Sequence, residues 1–322
     1  MSDAYGETFL VTGAYGCIGA WVVRLLLAEG TPVVALDLGT DDHRLQQVVP
    51  AGELERVSRV RADITDLAAL ERALEAHAVT HVIHLAALQV PFCRADPPLG
   101  ARVNVVGTVN VFEAVARREL DAPVVYASSI AAYDALEDGE EPAMRGAPST
   151  IYGVYKRANE GTAAVYAAER GVASVGLRPH TVYGVARDQG LTSAPTAAML
   201  AAAAGRPYEI PFGGRYQLQH AADAARDFVL AARSGASDAE LHNLPGVVAG
   251  TDDVIAAIER AVPEMAGRVR AGATTLPFPS AVDARSLDAL LGPRADTPLD
   301  AGVADTIAAF RDLLARGLVS AP

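Results

Sequence analysis

Short apolar runs alternate with longer amphipathic segments through the first half of the chain. Residues 8–12 and 32–38 have the length and apolar character of buried strands, and residues 17–29 between them repeat apolar positions with helical spacing. The same alternation predicts further buried strands at 56–61, 81–86, 124–128 and 172–177, and helices at 67–77, 99–118 and 151–170. Strands separated by helix-length crossovers indicate an α/β fold with a doubly wound parallel sheet and helices on both faces.

The pattern changes after Gly184. Segments 185–214 and 241–299 are rich in glycine, proline and alanine, with short helical stretches and few strand signals, and residues 300–316 again indicate a helix. We therefore predict a first α/β domain over residues 1–184, to which a strand and a helix return near 215–235. Residues 185–322 are expected to form mainly a smaller lobe.

A glycine-rich loop joins the first predicted strand to the first predicted helix. Its sequence, TGAYGCIG over residues 12–19, has the spacing of a Rossmann dinucleotide-binding loop. The first glycine permits the tight turn, the second lets the backbone approach a pyrophosphate, and the third lets helix and strand pack closely. A purely structural glycine turn is the alternative, but the strand before it and the helix after it favour a dinucleotide site. The predicted contacts are Gly13, Tyr15, Gly16, Cys17, Ile18 and Gly19.

Asp37 ends the second predicted strand, 24 residues after Gly13. A carboxylate at this point can accept hydrogen bonds from the hydroxyls of the adenosine ribose, and it repels a 2′-phosphate. The nearest cation, Arg44, lies further along the chain. The sequence therefore favours NAD over NADP. The alternative is that Asp37 only caps a turn or a helix.

Tyr152 and Lys156 lie four residues apart at the start of a predicted helix, so both side chains share one face. A phenol has a pKa of about 10 and is a poor base at neutral pH, but a nearby ammonium stabilises the phenolate and lowers that pKa. The pair is therefore suited to general acid–base catalysis. Tyr155 is a poorer candidate because it does not share the i, i+4 face with Lys156.

Taken together, the chain resembles the extended short-chain dehydrogenase/reductase family, the group that includes UDP-galactose 4-epimerase and the nucleotide-sugar dehydratases. Besides the glycine loop, Tyr152 and Lys156, the matching segments are ADITD (62–66), HLAA (84–87), NVVGT (104–108), SS (128–129), LRPHTVYG (177–184), LLG (290–292) and IAAF (307–310). They run through nearly the whole chain. Each is weak alone, and in this order and spacing they are together specific.

The resemblance implies roles for residues of these segments. Ser129 would hydrogen-bond the substrate oxygen while Tyr152 exchanges its proton, and Lys156 would bind the nicotinamide ribose and lower the Tyr152 pKa. The further cofactor contacts that it implies are Asp63 and Ile64 at the adenine, Leu85, Ala86 and Ala87 beneath the cofactor, Asn104 from the next helix, and Pro179 and His180. It also implies a homodimer that pairs helices 99–118 and 151–170 of each subunit.

Two reactions are consistent with this resemblance. In the one we favour, the enzyme oxidises a secondary alcohol of a carbohydrate-like substrate (a sugar, sugar acid or polyol) and releases NADH. In the other, NAD stays bound and the hydride returns to the opposite face, as in a nucleotide-sugar epimerase of the UDP-galactose 4-epimerase type. Dehydratase chemistry is disfavoured, because Ile130 and Ala131 stand where such members carry acidic residues. A non-enzymatic NAD-binding module would require the Ser129, Tyr152 and Lys156 set to be accidental.

The substrate is expected to lie against the lobe after Gly184. Nucleotide-sugar members usually carry an asparagine at the position of Thr181, and arginines that have no counterpart here over 216–223 or 271–283, which argues against a nucleotide diphosphate handle. The candidate substrate residues are Thr181, Ser129, Arg187, Gln189 and Thr192. The polar segment 187–193 either binds hydroxyls or a carboxylate, or is an ordinary loop in which Thr192 or Ser193 caps a helix at 195–205.

Composition limits the partners. A net charge of −12 argues against a nucleic-acid or anionic-membrane binder. The two cysteines, Cys17 and Cys93, show no CxxC spacing, so they predict a reducing compartment and neither a disulfide scaffold nor a metal site. The N-terminus lacks signal-peptide features, and no apolar run is long enough to span a bilayer. We expect a cytoplasmic enzyme whose partner is a small-molecule substrate.

Overall fold

The structure of the protein, a computed structural model, describes residues 6–133, 147–190 and 192–322. The strands are β1 (Phe9–Thr12), β2 (Val33–Asp37), β3 (Ser58–Arg61), β4 (His81–His84), β5 (Val124–Ala127), β6 (Ser174–Arg178), β7 (Thr181–Tyr183), β8 (Tyr208–Gly213), β9 (Arg215–His220), β10 (Ala239–Asn243), β11 (Val247–Gly250) and β12 (Val269–Thr275). The helices are α1 (Cys17–Ala28), α2 (His43–Val48), α3 (Leu67–Ala76), α4 (Val90–Ala95), α5 (Pro97–Ala101), α6 (Gly107–Arg118), α7 (Ile151–Arg170), α8 (Ala194–Ala203), α9 (Ala221–Ala232), α10 (Thr251–Ala261), α11 (Arg285–Leu291) and α12 (Leu299–Ala315). Short 3₁₀ segments lie at Ala51–Arg56, Ile130–Ala132 and Pro263–Met265, and a π-helical segment, Arg102–Val106, joins α5 to α6.

Parallel strands form the central sheet in the order β3-β2-β1-β4-β5-β6-β10. Val11 of β1 lies opposite Ala35 of β2 on one side and opposite Ile83 of β4 on the other. The chain therefore builds the sheet outward in both directions from β1, and the connections at the carboxyl ends of β1 and β4 part to leave a crevice.

Side chains of the central strands alternate between two apolar layers, one on each face of the sheet. Phe9 and Val11 of β1 pack into the layer that contains Leu26 of α1, whereas Leu10 packs into the layer that contains Phe112 of α6. Because both faces are covered, the central strands are apolar at nearly every position. The predicted Rossmann fold, a doubly wound parallel sheet between two layers of helices, is confirmed.

The predicted burial of one strand is wrong. The sequence indicated a buried strand at 56–61, but β3 lies at the edge of the sheet beside β2, and Ser58, Arg59 and Arg61 are exposed. An edge strand has a neighbour on one side only, so polar side chains are tolerated there.

The helix predicted at 99–118 is a succession of three segments: α5, the π-helical segment and α6. Asp96 starts it by accepting a hydrogen bond from the Leu99 amide at 3.0 Å. The helix predicted at 151–170 is α7, and Thr150 caps it by accepting from the Gly153 amide at 3.0 Å. Both helices therefore begin at side chains of the residue types that favour N-caps.

The second half contains more strands than its composition indicated. β7, β9 and β11 form a small sheet, and β8 pairs in parallel with β12. Near 215–235, α9 returns to pack against α1, but β9 belongs to the small sheet and the strand that returns to the central sheet is β10. Several of these strands contain Gly, Gln, Ala or Pro, residues that are not enriched in strands, so their sequence signal is weak. Among the described residues, no helix is both long enough and apolar enough to cross a bilayer.

Candidate active site

A cavity of about 560 Å³ lies at the carboxyl ends of the central strands, where the sheet order reverses. This is the position at which open α/β sheets bind ligands. With the exception of Asn104, every site residue predicted from the sequence lines this cavity. The glycine loop, the ends of β2, β4 and β5, the start of α7, and the segments after β6 and β7 contribute its walls.

The glycine loop packs against the end of β4 with no room for side chains. Gly13 has a φ of +67°, and a Cβ at this position would lie 2.6 Å from the Ala86 amide nitrogen. A Cβ on Gly19 would overlap the carbonyl oxygen of Gly13 and lie 2.8 Å from Cα of Ala14. The loop therefore needs glycine at both positions, one for the turn and one for the close approach of α1. Gly16 has no side chain to cap α1, so the first-turn amides of this helix take no side-chain cap.

The Asp37 carboxylate is held at the edge of the cavity by two backbone amides. Tyr15 N donates to Oδ2 at 3.1 Å and Gly39 N donates to Oδ1 at 3.0 Å. The bond from Gly39 is the turn contact that the sequence allowed as an alternative role for Asp37. Asp37 makes this contact and also lines the cavity. Each oxygen keeps further lone pairs with which to accept from a ligand hydroxyl.

Asp63 and Ile64 form the wall next to Asp37. Oδ1 of Asp63 accepts from the Thr65 amide at 2.8 Å, and the Ile64 carbonyl accepts from the Asn110 side chain at 3.0 Å. Ile64 is buried. These contacts fix an acidic and an apolar side chain at the same end of the cavity as Asp37.

Asn104 does not line the cavity, which corrects its expected contact with a cofactor. Its side chain is buried and holds the backbone of Leu88, with Oδ1 accepting from the amide at 2.7 Å and Nδ2 donating to the carbonyl at 2.8 Å. Nδ2 also contacts Sγ of Cys93 at 3.4 Å. Asn104 therefore positions the loop that follows β4, which is itself a cavity wall, and acts through that loop.

Helix α7 brings Tyr152 and Lys156 to the end of β5. Ser129, just after β5, accepts a hydrogen bond from the Ala131 amide at 3.1 Å and hydrogen-bonds the Tyr152 hydroxyl. Lys156 donates from Nζ to the Ala127 carbonyl at 2.6 Å, and Nζ lies 5.6 Å from the centroid of the Tyr152 ring. The three side chains thus meet at one point of the cavity. Tyr155, by contrast, donates to the Pro97 carbonyl at 2.9 Å on another side of the helix.

The pKa values at this point follow from exclusion of water. Desolvation raises the pKa of Tyr152 to about 12, while the Ser129 hydrogen bond and the Arg187 charge lower it. Desolvation lowers the pKa of Lys156 to about 8. The pKa of Tyr152 therefore lies above its ordinary value, contrary to the expectation that Lys156 would lower it. The loss of water around the phenolate outweighs the attraction of nearby cations.

Gly153 is a site residue that the sequence reasoning missed. A Cβ on it would overlap the Ala131 carbonyl oxygen and lie 2.8 Å from Cβ of Pro148. Its bare surface lets α7 approach the segment after β5, which is what brings Tyr152 to Ser129. The signal was a glycine inside a predicted helix, immediately after the candidate tyrosine.

The remaining wall is formed by the segment after β7. Arg187 donates from Nη2 to Thr192 Oγ1 at 3.1 Å, and Gln189 is exposed at the cavity edge. Ser193 stands at the N-cap position of α8, but its hydroxyl donates back to the Gly190 carbonyl at 2.9 Å and does not cap the helix. The alternative interpretation, in which a hydroxyl of this segment caps α8, is therefore not what the structure has.

Three further predicted residues follow β6: Pro179 and His180 connect it to β7, and Thr181 is the first residue of β7. Thr181 is fully buried, and its hydroxyl lies 3.1 Å from Nδ1 of His180. His180 reaches the Pro279 carbonyl through Nε2 at 2.6 Å, and burial lowers its pKa to about 4. Together with Pro179, they connect the central sheet to the second half of the chain at the cavity.

His84 is buried behind the site between two threonines. Its Nδ1 lies 2.7 Å from Thr12 Oγ1 and its Nε2 lies 3.0 Å from Thr108 Oγ1. Thr108 donates its own proton to the Asn104 carbonyl at 2.8 Å, so the network fits a neutral imidazole that donates from Nε2. Burial lowers the pKa of His84 to about 3. His84 is therefore a structural residue.

Comparison with known proteins places these features in context. Residues 9–244 match the model of the NAD dependent epimerase/dehydratase family. UDP-glucuronate 4-epimerase 3 of Arabidopsis thaliana is 34% identical over 186 residues, which are 56% of this chain and 43% of that protein, so the match spans less than half of the relative. The Thermus thermophilus UDP-glucose 4-epimerase in complex with NAD superposes with a TM-score of 0.79 at 28% identity, over 95% of this chain and 99% of that one. The GalE-like L-threonine dehydrogenase of Cupriavidus necator gives 0.77 at 25%, over 94% and 99%.

We predict that His84 makes the stability of the fold depend on pH. Because its pKa is lowered from 6.5 to about 3 in the folded protein, the unfolded chain binds the proton first, and stability is lost as the pH falls through this window. Between about pH 7 and about pH 5 the part due to His84 is about 2 kcal/mol. His84→Gln should therefore lose less unfolding free energy over this interval than the wild type, measured by urea denaturation. His77→Gln, at the end of α3, is the control, and equal losses in all three proteins would refute the prediction.

Proposed function

The chain belongs to the NAD-dependent epimerase/dehydratase family, and we propose that it oxidises a secondary alcohol of a carbohydrate-like substrate (a sugar, sugar acid or polyol), with Tyr152 as the acid–base group. The observation that carries this proposal is the meeting of Ser129, Tyr152 and Lys156 in the cavity that the glycine loop also lines. In this proposal, residues 1–184 bind mainly NAD and residues 185–322 mainly the substrate.

The residues that line the cavity suit the phosphates and the ribose of NAD. Gly13 and Gly19 leave a backbone cradle that a Cβ would fill. The Asp37 carboxylate, oriented by two amides, can accept from ribose hydroxyls. Arg44 is already bound to Asp188 and to a backbone carbonyl, so it is not free for a 2′-phosphate. When bound, NAD supplies the acceptor for the hydride that leaves the alcohol carbon.

Further contacts in the proposed NAD site come from the residues that line the same cavity. We assign Tyr15, Gly16, Cys17 and Ile18 to the pyrophosphate side, and Asp63, Ile64, Leu85, Ala86, Ala87, Pro179 and His180 to the rest of the cofactor. Asn104 enters this assignment only as a positioning residue for the loop after β4.

The chain's own residues handle the proton. In the reaction the Tyr152 phenolate takes the proton of the substrate hydroxyl. The Ser129 oxygen accepts from the Ala131 amide, and its hydroxyl, which hydrogen-bonds Tyr152, turns to the substrate oxygen when the substrate binds. Lys156 stabilises the phenolate by its charge. Desolvation raises the pKa of Tyr152 to about 12, so the phenolate needs a positive charge close to it, and this is the role that we assign to Lys156.

Tyr152→Phe is predicted to abolish turnover while NAD binding persists. The change removes only the hydroxyl that exchanges the proton, so kcat should fall by at least about 100-fold. NAD affinity, measured by isothermal titration calorimetry, should stay within about 3-fold of the wild type, because a loss of that size is under 1 kcal/mol. Tyr155→Phe is the matched control, because Tyr155 points to Pro97. Activity close to that of the wild type in Tyr152→Phe would rule out its assigned role.

A second candidate is an epimerase that keeps NAD bound and acts on a nucleotide sugar. It is favoured by the similarity to a plant UDP-glucuronate 4-epimerase and a bacterial UDP-glucose 4-epimerase. Against it, the arginines that line the cavity among the described residues are Arg44 and Arg187, and Arg44 is already engaged. A diphosphate handle would therefore depend mainly on Arg187.

A substrate panel separates the two candidates. The wild-type protein is incubated with NAD and sugars, sugar acids, polyols or nucleotide sugars, with NADH followed by absorbance and isomers by NMR. We expect NADH to form in proportion to the substrate consumed, because an oxidised product that leaves the site cannot take the hydride back. Isomer formation without accumulated NADH would instead establish the second candidate.

We also propose a cytoplasmic homodimer that pairs α5–α6 and α7 of each subunit. Its support is a set of exposed apolar side chains on these helices: Leu99, Val106, Ile151, Val154 and Val165, exposed by 40–51%. The free thiols Cys17 and Cys93 suit a reducing compartment.

Val154→Asp combined with Val165→Asp should shift the protein from dimer to monomer in sedimentation equilibrium. Val248→Asp on β11, also exposed, should leave it dimeric, and a monomeric wild type would refute the pairing.

A further inference from the structure

In the loop between β7 and α8, described here at residues 184–190 and 192–193, the stretch Arg187–Gly190 reaches from one wall of the cavity to the other. Its approach is fixed on the α1 side, where Trp21 donates from Nε1 to the Val185 carbonyl at 3.0 Å. Ala186 then has a φ of +72°, an uncommon conformation for a residue with a side chain, and it is buried. The chain is thereby turned back over the cavity, which residues Ala186 to Gly190 all line.

At the wall formed by α2, Asp188 holds two side chains. Its Oδ1 accepts from Arg44 Nε at 2.8 Å, and its Oδ2 lies 2.9 Å from His43 Nε2. Arg44 also donates from Nη1 to the Tyr15 carbonyl at 3.0 Å. The Asp188 carboxylate therefore ties this loop, across 144 positions of sequence, to both α2 and the glycine loop.

At the opposite wall, Gly190 lies directly against the loop that follows β4. A Cβ on Gly190 would lie 2.5 Å from Oε1 of Gln89 and 3.2 Å from Nη2 of Arg187. Gly190 has a φ of +100°, a backbone conformation that favours glycine, and a side chain there would have to displace the end of the Gln89 side chain. The stretch therefore touches two walls that are far apart in sequence and lies across the cavity between them.

We propose that Arg187–Gly190 is a strap across the dinucleotide cavity, fastened by Asp188 to Arg44 and His43, which retains NAD in the site and limits the rate at which it exchanges. Asp188 and Arg44 are positioning residues in this role. The proposal rests on the proposed function, since it takes NAD to be the molecule beneath the strap.

The ion pair between Asp188 and Arg44 is one that can open. Asp188 keeps 43% of its side-chain surface exposed and Arg44 keeps 13%, so water and salt reach the ion pair from one side. Such a pair holds the strap closed most of the time and lets it part at low cost. Gly184, Ala186 and Gly190, all with positive φ, mark the points at which the backbone is turned.

Exchange of the bound nucleotide tests the strap. The wild-type protein is loaded with NADH and mixed rapidly with excess NAD, and release is followed as the loss of energy transfer from Trp21, the single tryptophan of the chain, to bound NADH. Asp188→Asn should speed release by about 5-fold, the factor expected when an exposed ion pair is lost. Salt at about 0.5 M should speed release from the wild type but not from the variant. Asp312→Asn, which removes the exposed pair with Arg316 far from the cavity, is the matched control and should release NADH as the wild type does.

A double-mutant cycle identifies the partner. Arg44→Gln alone should also speed release, and the double variant should be no faster than Asp188→Asn, because both changes open the same fastening. Independent, multiplying effects would mean that each residue contacts the nucleotide separately, which overturns the strap. Unchanged release in Asp188→Asn overturns it as well, while leaving the proposed function in place. A wild-type protein that binds neither NAD nor NADH overturns the proposed function and the strap with it.

Discussion

The structure depends on the close backbone packing of the turn between β1 and α1 against the end of β4. Gly13 and Gly19 have no space for a Cβ because the backbone of Ala86 and the loop itself occupy it. This contact draws α1 onto the sheet and sets the floor of the cavity at the point where the strand order reverses. The Asp37 carboxylate is held by the same loop, because the Tyr15 amide donates to it. A side chain at either glycine would push the loop backbone away from its present packing and so shift the floor of the cavity.

Beneath the cavity, a buried polar network holds the same strands in register with the helices. His84 of β4 lies between Thr12 of β1 and Thr108 of α6, and Thr108 in turn donates to the Asn104 carbonyl. The Asn104 side chain then fixes the loop after β4. Every member of this network has its hydrogen bonds inside the protein, which makes such networks rigid and specific. The residues that line the cavity are thus held in place by a network of uncharged side chains beneath it.

The sequence predicted what depends on local pattern and missed what depends on distant contact. The parallel sheet, the glycine loop and the Tyr152–Lys156 face follow from periodicity and spacing, and the structure has all three. The place of Asn104 could not be predicted, because its π-helical turn directs the amide to Leu88 rather than to the cavity. The upward direction of the Tyr152 pKa shift was not predicted either, because desolvation depends on the whole site and not on one neighbouring residue. The strands after Gly184 were missed because several contain residues that are not enriched in strands and because β8 pairs with β12, a partner distant in the chain.

The exposed edge strand β3 has a consequence for how copies of this protein meet. The free edge of a sheet presents unpaired amides and carbonyls on which another chain could add a strand, and that addition leads toward aggregates. Here Arg59 and Arg61 stand on this edge, and Arg59 is paired with Asp42 at 3.2 Å. Bringing two such edges together would set like charges against each other and break this ion pair. The charges thus protect the protein against pairing of two copies through this edge.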